Sequence, residues 1–173
     1  AVDVELAFKL LERKSAKADS SEASVLIVAP YKPHVEKIKQ LIELEYKNRG
    51  LPKNSNDIQA GTIHSFQGRE ADIVIFDLVI DEPHWRAGLF LDSNNYKEYN
   101  DDLRKMFNVA ITRAKFKLFI VGNFSYCQKK AKNNALAELL NTLLNRYNLP
   151  KIDAKSILSD LVFSQNTVVS TDQ

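Results

Sequence analysis

The chain of 173 residues has a single cysteine, Cys127, so no disulfide can form within it. Its histidines, His34, His64 and His84, are scattered, and with one thiol they suggest no zinc cluster and no metal ligand set. A reducing interior, cytosol or nucleus, is the expected location. No apolar run approaches the ~18 residues that a membrane span requires, and the N-terminus has no basic region followed by an apolar stretch. A soluble protein with no membrane partner is expected. Neither sign of charge prevails, because 24 Lys and Arg face 22 Asp and Glu for a net charge of +2. The overall balance therefore marks neither a nucleic-acid coat nor a membrane binder, and any nucleic-acid contact must come from a local groove. Glycine is also scarce, at five residues, which draws attention to one set in a charged turn, "QGRE" at 67–70, between two apolar runs.

What is present is a core-forming pattern. At 45% hydrophobic, a chain of this length can bury roughly 70% of the surface its unfolded form exposes. Val4, Ala7, Phe8 and Leu11 have helical spacing within residues 2–17. "SVLIVAP" (24–30) reads as a strand covered on both faces and ended by Pro30. A helix is expected from Pro33, with Val35, Ile38, Leu41 and Ile42 on one face and a stop at Gly50 and Pro52. Further strands are expected near 58–64, 72–80 and 117–123, with helices over 102–114 and 135–148. Residues 81–101 read as a long loop, and residues 150–173 as a weakly ordered tail or the start of a following segment. Strands alternating with helices imply a three-layer α/β/α domain over 1–149 with a mainly parallel sheet. In such sheets ligands lie outside the carboxyl ends of the strands, where this reading places Pro30, Tyr31, residues 65–70, Gly122 and Asn123.

Three segments carry a resemblance. "VLIVAPY", "TIHSFQGREADIVI" and "FNVAITRAKFKLFIVGN" resemble, in order, motifs IV, V and VI of superfamily 1 helicases, nearest to the Upf1-like branch, over about residues 2–147. The resemblance implies a RecA-like fold of the P-loop NTPase type and the second motor domain of an ATP-dependent helicase. It implies ATP and Mg2+, both held mainly by a first RecA-like domain of the same parent chain, and a track of single-stranded DNA or RNA. No G-x-x-x-x-G-K-[ST] occurs here, so this half alone is expected to be inactive. The opening at Ala1 inside a helical pattern, without Met, is expected of a piece of a longer protein.

The same resemblance implies roles for particular residues. Arg113, in "NVAITRA", is the expected arginine finger and an ATP contact; on a helical projection it borders the apolar stripe of Leu103, Met106, Phe107, Ala110 and Ala114. Gly68 and Glu70 are expected to bind ATP, through close backbone approach and ribose hydroxyls respectively, and Gln67 to bind ATP and relay between sites. Thr62 and His64, read as alternating along one strand, are expected to meet the nucleic-acid backbone, and Tyr31 to stack on a base or touch a sugar. Taken singly, Arg113 reads as an ordinary ion-pairing residue, Arg69 as a salt-bridge or backbone partner, His64 and Tyr31 as core residues, and Lys32, His34 and Lys37 as phosphate contacts or a solvated helix start. "LRKMFNVA" departs from the family by placing Met106 where an arginine is usual. A different class remains open, a domain that keeps the fold without the motor and serves as a nucleic-acid or protein interaction module. A nuclease built on Asp77, Asp81 and Glu82 is a third reading.

Overall fold

The apolar run at 24–30 forms strand β1 (Val25–Ala29), all of whose residues are buried. Val25, Ile27 and Ala29 join one core cluster, while Leu26 and Val28 join another. This is the two-sided burial that a continuous β-branched run requires. The computed structural model of the protein describes residues 2–15, 24–52, 57–66, 68–79, 104–105, 107–130, 135–157 and 167–170.

Strands β2 (Ile58–Thr62), β3 (Ala71–Asp77), β4 (Ala114–Gly122), β5 (Lys151–Asp153) and β6 (Thr167–Ser170) complete a six-stranded sheet in the order β2-β1-β3-β4-β6-β5. Every pairing among the described residues is parallel. Helices α1 (Val2–Ser15) and α2 (Lys32–Asn48) supply Phe8, Val35 and Ile38 to the cluster that holds Ile27, Ile75 and Phe119. The opposite face holds Val28, Phe76 and Ile120. It is covered by Ile63 and Phe66, by Phe107 and Ala110 of α3 (107–111), and by α4 (Phe124–Lys130) and α5 (Ala135–Asn141). The expected three-layer α/β/α arrangement is therefore found.

Helix α2 follows its sequence signals. Tyr31 is the N-cap, Pro33 lies in the first turn, and Gly50 takes φ +62° just beyond the last turn, a conformation that glycine adopts without strain. At the other end of the molecule the sheet continues beyond Pro150. Lys151–Asp153, the short helix α6 (Ala154–Ile157) and Thr167–Ser170 belong to it, and Ile157 is fully buried against the α1 side. Chain pairing, which a single sequence does not display, orders these segments.

Three local expectations are corrected. Strand β2 stops at Thr62, and Ile63–Phe66 is a 3-10 turn, so Thr62 and His64 do not alternate along one strand. The reason is topological. β2 and β3 both run parallel to β1, with Val25 paired to Ile58 on one side and to Ile73 on the other. Within residues 63–70 the chain must return from the carboxyl to the amino edge of the sheet. Residues 68–70 consequently precede β3 at the amino edge, not at the carboxyl edge where the sequence reading put them. In the same way β4 begins at Ala114 instead of 117, because Ala71 N–H donates to Arg113 O at 2.9 Å and opens the ladder there. Arg113 thus lies in a turn after α3, at the amino edge, and not on the helix. Finally, the closing helix expected over 135–148 gives way after Asn141 to π-helical Thr142–Arg146, and α4 was not anticipated.

Candidate functional site

At the amino edge, the start of β3 and the start of β4 are held side by side by the Ala71–Arg113 hydrogen bond and the Ala71–Ala114 pairing. This brings Gly68, Arg69 and Glu70 next to Arg113 and Lys115, although more than forty residues separate them in sequence. Gly68 takes φ +83°, and a Cβ built on it would meet nothing within 4 Å. Its conformation, not crowding, calls for glycine. Glu70 is exposed, with the Lys115 ammonium 4.0 Å away. Arg69 N–H donates to Phe66 O at 3.0 Å, and its guanidinium reaches Gln59 Oε1 at 3.3 Å.

Arg113 is half-buried. Its Nε donates to Val109 O at 3.2 Å and an Nη to Thr112 Oγ1 at 3.4 Å. Among the described residues it makes no ion pair. Arg49 offers the contrast, since it is bound by Glu5, Glu12 and Glu45 at 2.6, 2.5 and 3.2 Å and lies over the Phe8 ring. A guanidinium has five donors in a planar fork, and the contacts of Arg113 are neutral acceptors that a phosphate oxygen can replace. Among the described residues Arg69, Arg113 and Lys115 stand around Glu70 here, while the nearby Asp72 carboxylate accepts from Ser24 N–H at 3.0 Å, so three cations are offered to an anion. These residues fit a phosphate-bearing group approaching from outside the sheet.

The carboxyl edge of β1 and β2 carries the other predicted residues. Thr62 ends β2, and its carbonyl accepts from Ser65 Oγ at 2.7 Å. His64 is exposed on the 3-10 turn, which removes the reading of a buried, satisfied histidine. Tyr31 follows β1, packs against the core cluster and buries its hydroxyl oxygen. Burial raises the Tyr31 pKa above the ordinary phenol value; the half-buried ring, not the hydroxyl, is its accessible part. Gln67 lies outside the described residues, as do Leu103, Met106, Asp81, Glu82 and the 81–101 loop.

An open groove of about 700 Å³ runs along the outer side of β2, between it and α2, lined by Lys32, Lys39, Thr62, Ser65 and Arg69 among others. It links Thr62 at the carboxyl edge to Arg69 at the amino edge. Sequence reasoning missed the part taken by Arg69 and Lys115; the signal available was only their adjacency to Glu70 and Arg113. His34 Nε2, at the start of α2, lies 2.9 Å from Asp77 Oδ2.

Comparison with known proteins matches residues 1–125 to the family model of an AAA domain, AAA_12. Over 114 residues the chain is 32% identical to the helicase mov-10-B.1 of Danio rerio, covering 66% of this chain and 11% of that protein. Over 108 residues it is 31% identical to the DNA polymerase alpha-associated DNA helicase A of Saccharomyces cerevisiae, covering 62% and 13%. Over 145 residues it is 30% identical to the regulator of nonsense transcripts 1 homolog of Drosophila melanogaster, covering 84% and 11%. The chain spans about a tenth of the length of these curated relatives.

Proposed function

The chain belongs to the AAA_12 family and is an Upf1-like superfamily 1 helicase domain, and we propose that it is the second RecA-like half of an ATP-dependent motor on single-stranded DNA or RNA. In this reading the amino edge of β3 and β4 receives a nucleotide carried, with Mg2+, mainly by another RecA-like lobe, and the chain alone does not hydrolyse it. The observation that carries the reading is Arg113, a cation without an acidic partner among the described residues, placed beside the Gly68–Glu70 turn.

ATP supplies the phosphoryl group that is transferred to water, and negative charge builds on its γ oxygens during transfer. Arg113 acts as the arginine finger: its fork exchanges Val109 O and Thr112 Oγ1 for those oxygens and stabilises that charge. Gly68 leaves the backbone bare for close approach, and Glu70 accepts from ribose hydroxyls. Thr62 and His64 donate to the phosphates of the track at the opposite edge, and the Tyr31 ring offers a stacking face. The 63–70 segment, Gln67 included, joins the two edges, so a shift of one end is transmitted to the other. Such a motor works in the cytoplasm, or in the nucleus of a eukaryote; no helix among the described residues is long and apolar enough to cross a membrane.

The test joins this chain to a RecA-like domain that bears a phosphate-binding loop and follows hydrolysis with and without single strands. Arg113→Ala should leave ATP affinity within a few fold while stimulated hydrolysis falls roughly 10³-fold or more. Hydrolysis that survives the substitution removes Arg113 from the mechanism.

A further inference from the structure

The carboxyl edge holds a cluster to which the motor reading assigns no role. β1 leads outward to β2, and the chain then returns past β1 to β3, so the crevice beyond β1 and β3 is the point where the strand order reverses. Three elements meet there. α1 contributes Asp3, which is 2% exposed; the first turn of α2 contributes His34; and Asp77 ends β3. One nitrogen or carboxylate oxygen from each lies within 4.8 Å of the other two. Asp77 is held from behind, its Oδ1 accepting from Val79 N–H at 2.8 Å. The His34 side chain is 34% exposed and the Asp77 side chain 13%, so the cluster opens to water on the histidine side.

We propose that Asp3, His34 and Asp77 bind a divalent cation of borderline character, zinc foremost, through His34 Nε2 and one oxygen of each carboxylate, with water completing the coordination. Mixed imidazole and carboxylate donors suit zinc or manganese, whereas magnesium and calcium prefer oxygen alone. Bond lengths of about 2.0–2.2 Å place the donors of a tetrahedral site about 3.4 Å apart. From the present positions, His34 and Asp77 at 2.9 Å separate by about half an ångström, and donor spacings that now reach at most 4.8 Å close by no more than about 1.4 Å. The two carboxylates place negative charge beside the imidazole, which favours a cation at this position. Bound there, the ion ties α1 and α2 to the end of β3, within three residues of Tyr31 in the chain. Nothing in the spacing of residues 3, 34 and 77 signals such a site in the sequence; the fold assembles it.

The test is thermal unfolding of the purified, chelator-stripped protein with zinc, paired with a titration of bound zinc. Zinc at about a hundred times its dissociation constant should raise Tm by roughly 5–10 °C, with one ion bound per chain and little effect from magnesium. In His34→Gln, which keeps a hydrogen bond to Asp77 within reach but removes the imidazole, the metal-free Tm should stay within a few degrees and the zinc shift should vanish. Asp77→Asn should weaken it strongly. A wild-type protein that zinc does not shift overturns the proposal, and so does a shift that persists in both variants, because the ion is then held elsewhere. Neither result bears on Arg113.

Discussion

Replacing Gly61 with alanine tests how the chain is carried from one edge of the sheet to the other. A Cβ at this position would lie 2.3 Å from Ser65 Oγ, 2.4 Å from Phe66 Cε2 and 2.8 Å from Phe66 Cζ. Carbon atoms in contact are about 3.5–4.0 Å apart, so the overlap exceeds an ångström and something must move. Ser65 can rotate, at the loss of its bond to Thr62 O. Phe66 cannot move freely, because it is 5% exposed and packed with Ile63 against the core. Overpacking of this kind costs about 1–3 kcal/mol. The Gly61 φ is not positive, so alanine also returns about 0.4–1 kcal/mol by restricting the unfolded chain. The net expectation is a loss of about 1–2 kcal/mol, or roughly 2–8 °C in Tm for a domain of this size. Urea and thermal unfolding followed by circular dichroism measure it. The steric origin is isolated by repeating Gly61→Ala in a Phe66→Ala background, where the cost should shrink substantially. Wild-type stability of Gly61→Ala, or an equal cost in both backgrounds, refutes the packing argument.

Gly68→Ala should also destabilise, by about 1–2 kcal/mol, but through φ +83° and not through contact. Gly68→Asn should therefore cost less than Gly68→Val in the same unfolding experiment. With chelator present, His34 makes stability depend on pH. Its folded pKa is raised chiefly by the hydrogen bond to Asp77, so its contribution is full below the unfolded value of about 6.5 and is lost as pH rises through the folded value. Unfolding free energies across that interval should decline with pH in the wild type, and His34→Gln should flatten the decline. A wild-type slope unchanged in His34→Gln contradicts this assignment.

The strands and helices most visible in the sequence were those whose burial is local. "SVLIVAP" and "DIVIF" are apolar on both faces and lie in the sheet centre, and the Pro33 and Gly50 signals bracket α2 within one or two residues. The errors arose where a partner far along the chain decides. His64 continues an apparent strand pattern until parallel pairing of β2 and β3 with β1 forces the chain to turn back. Arg113 fits a helical projection until Ala71 claims its carbonyl. Residues 151–157 and 167–170 lack a period because β5 and β6 are short and paired to each other and to β4. The candidate site was legible as a set of residues, through "QGRE" and "NVAITRA". Its division between two edges was not, since strand order is absent from any local pattern.

Amide hydrogen exchange of the two-lobed motor, with a nonhydrolysable ATP analogue and with single strands added separately, tests that division most directly. The analogue should protect residues 68–71 and 113–115, at the amino edge, while single strands should protect residues 62–65 at the carboxyl edge. Protection of the carboxyl edge by the nucleotide, with residues 68–71 and 113–115 unchanged, would contradict it.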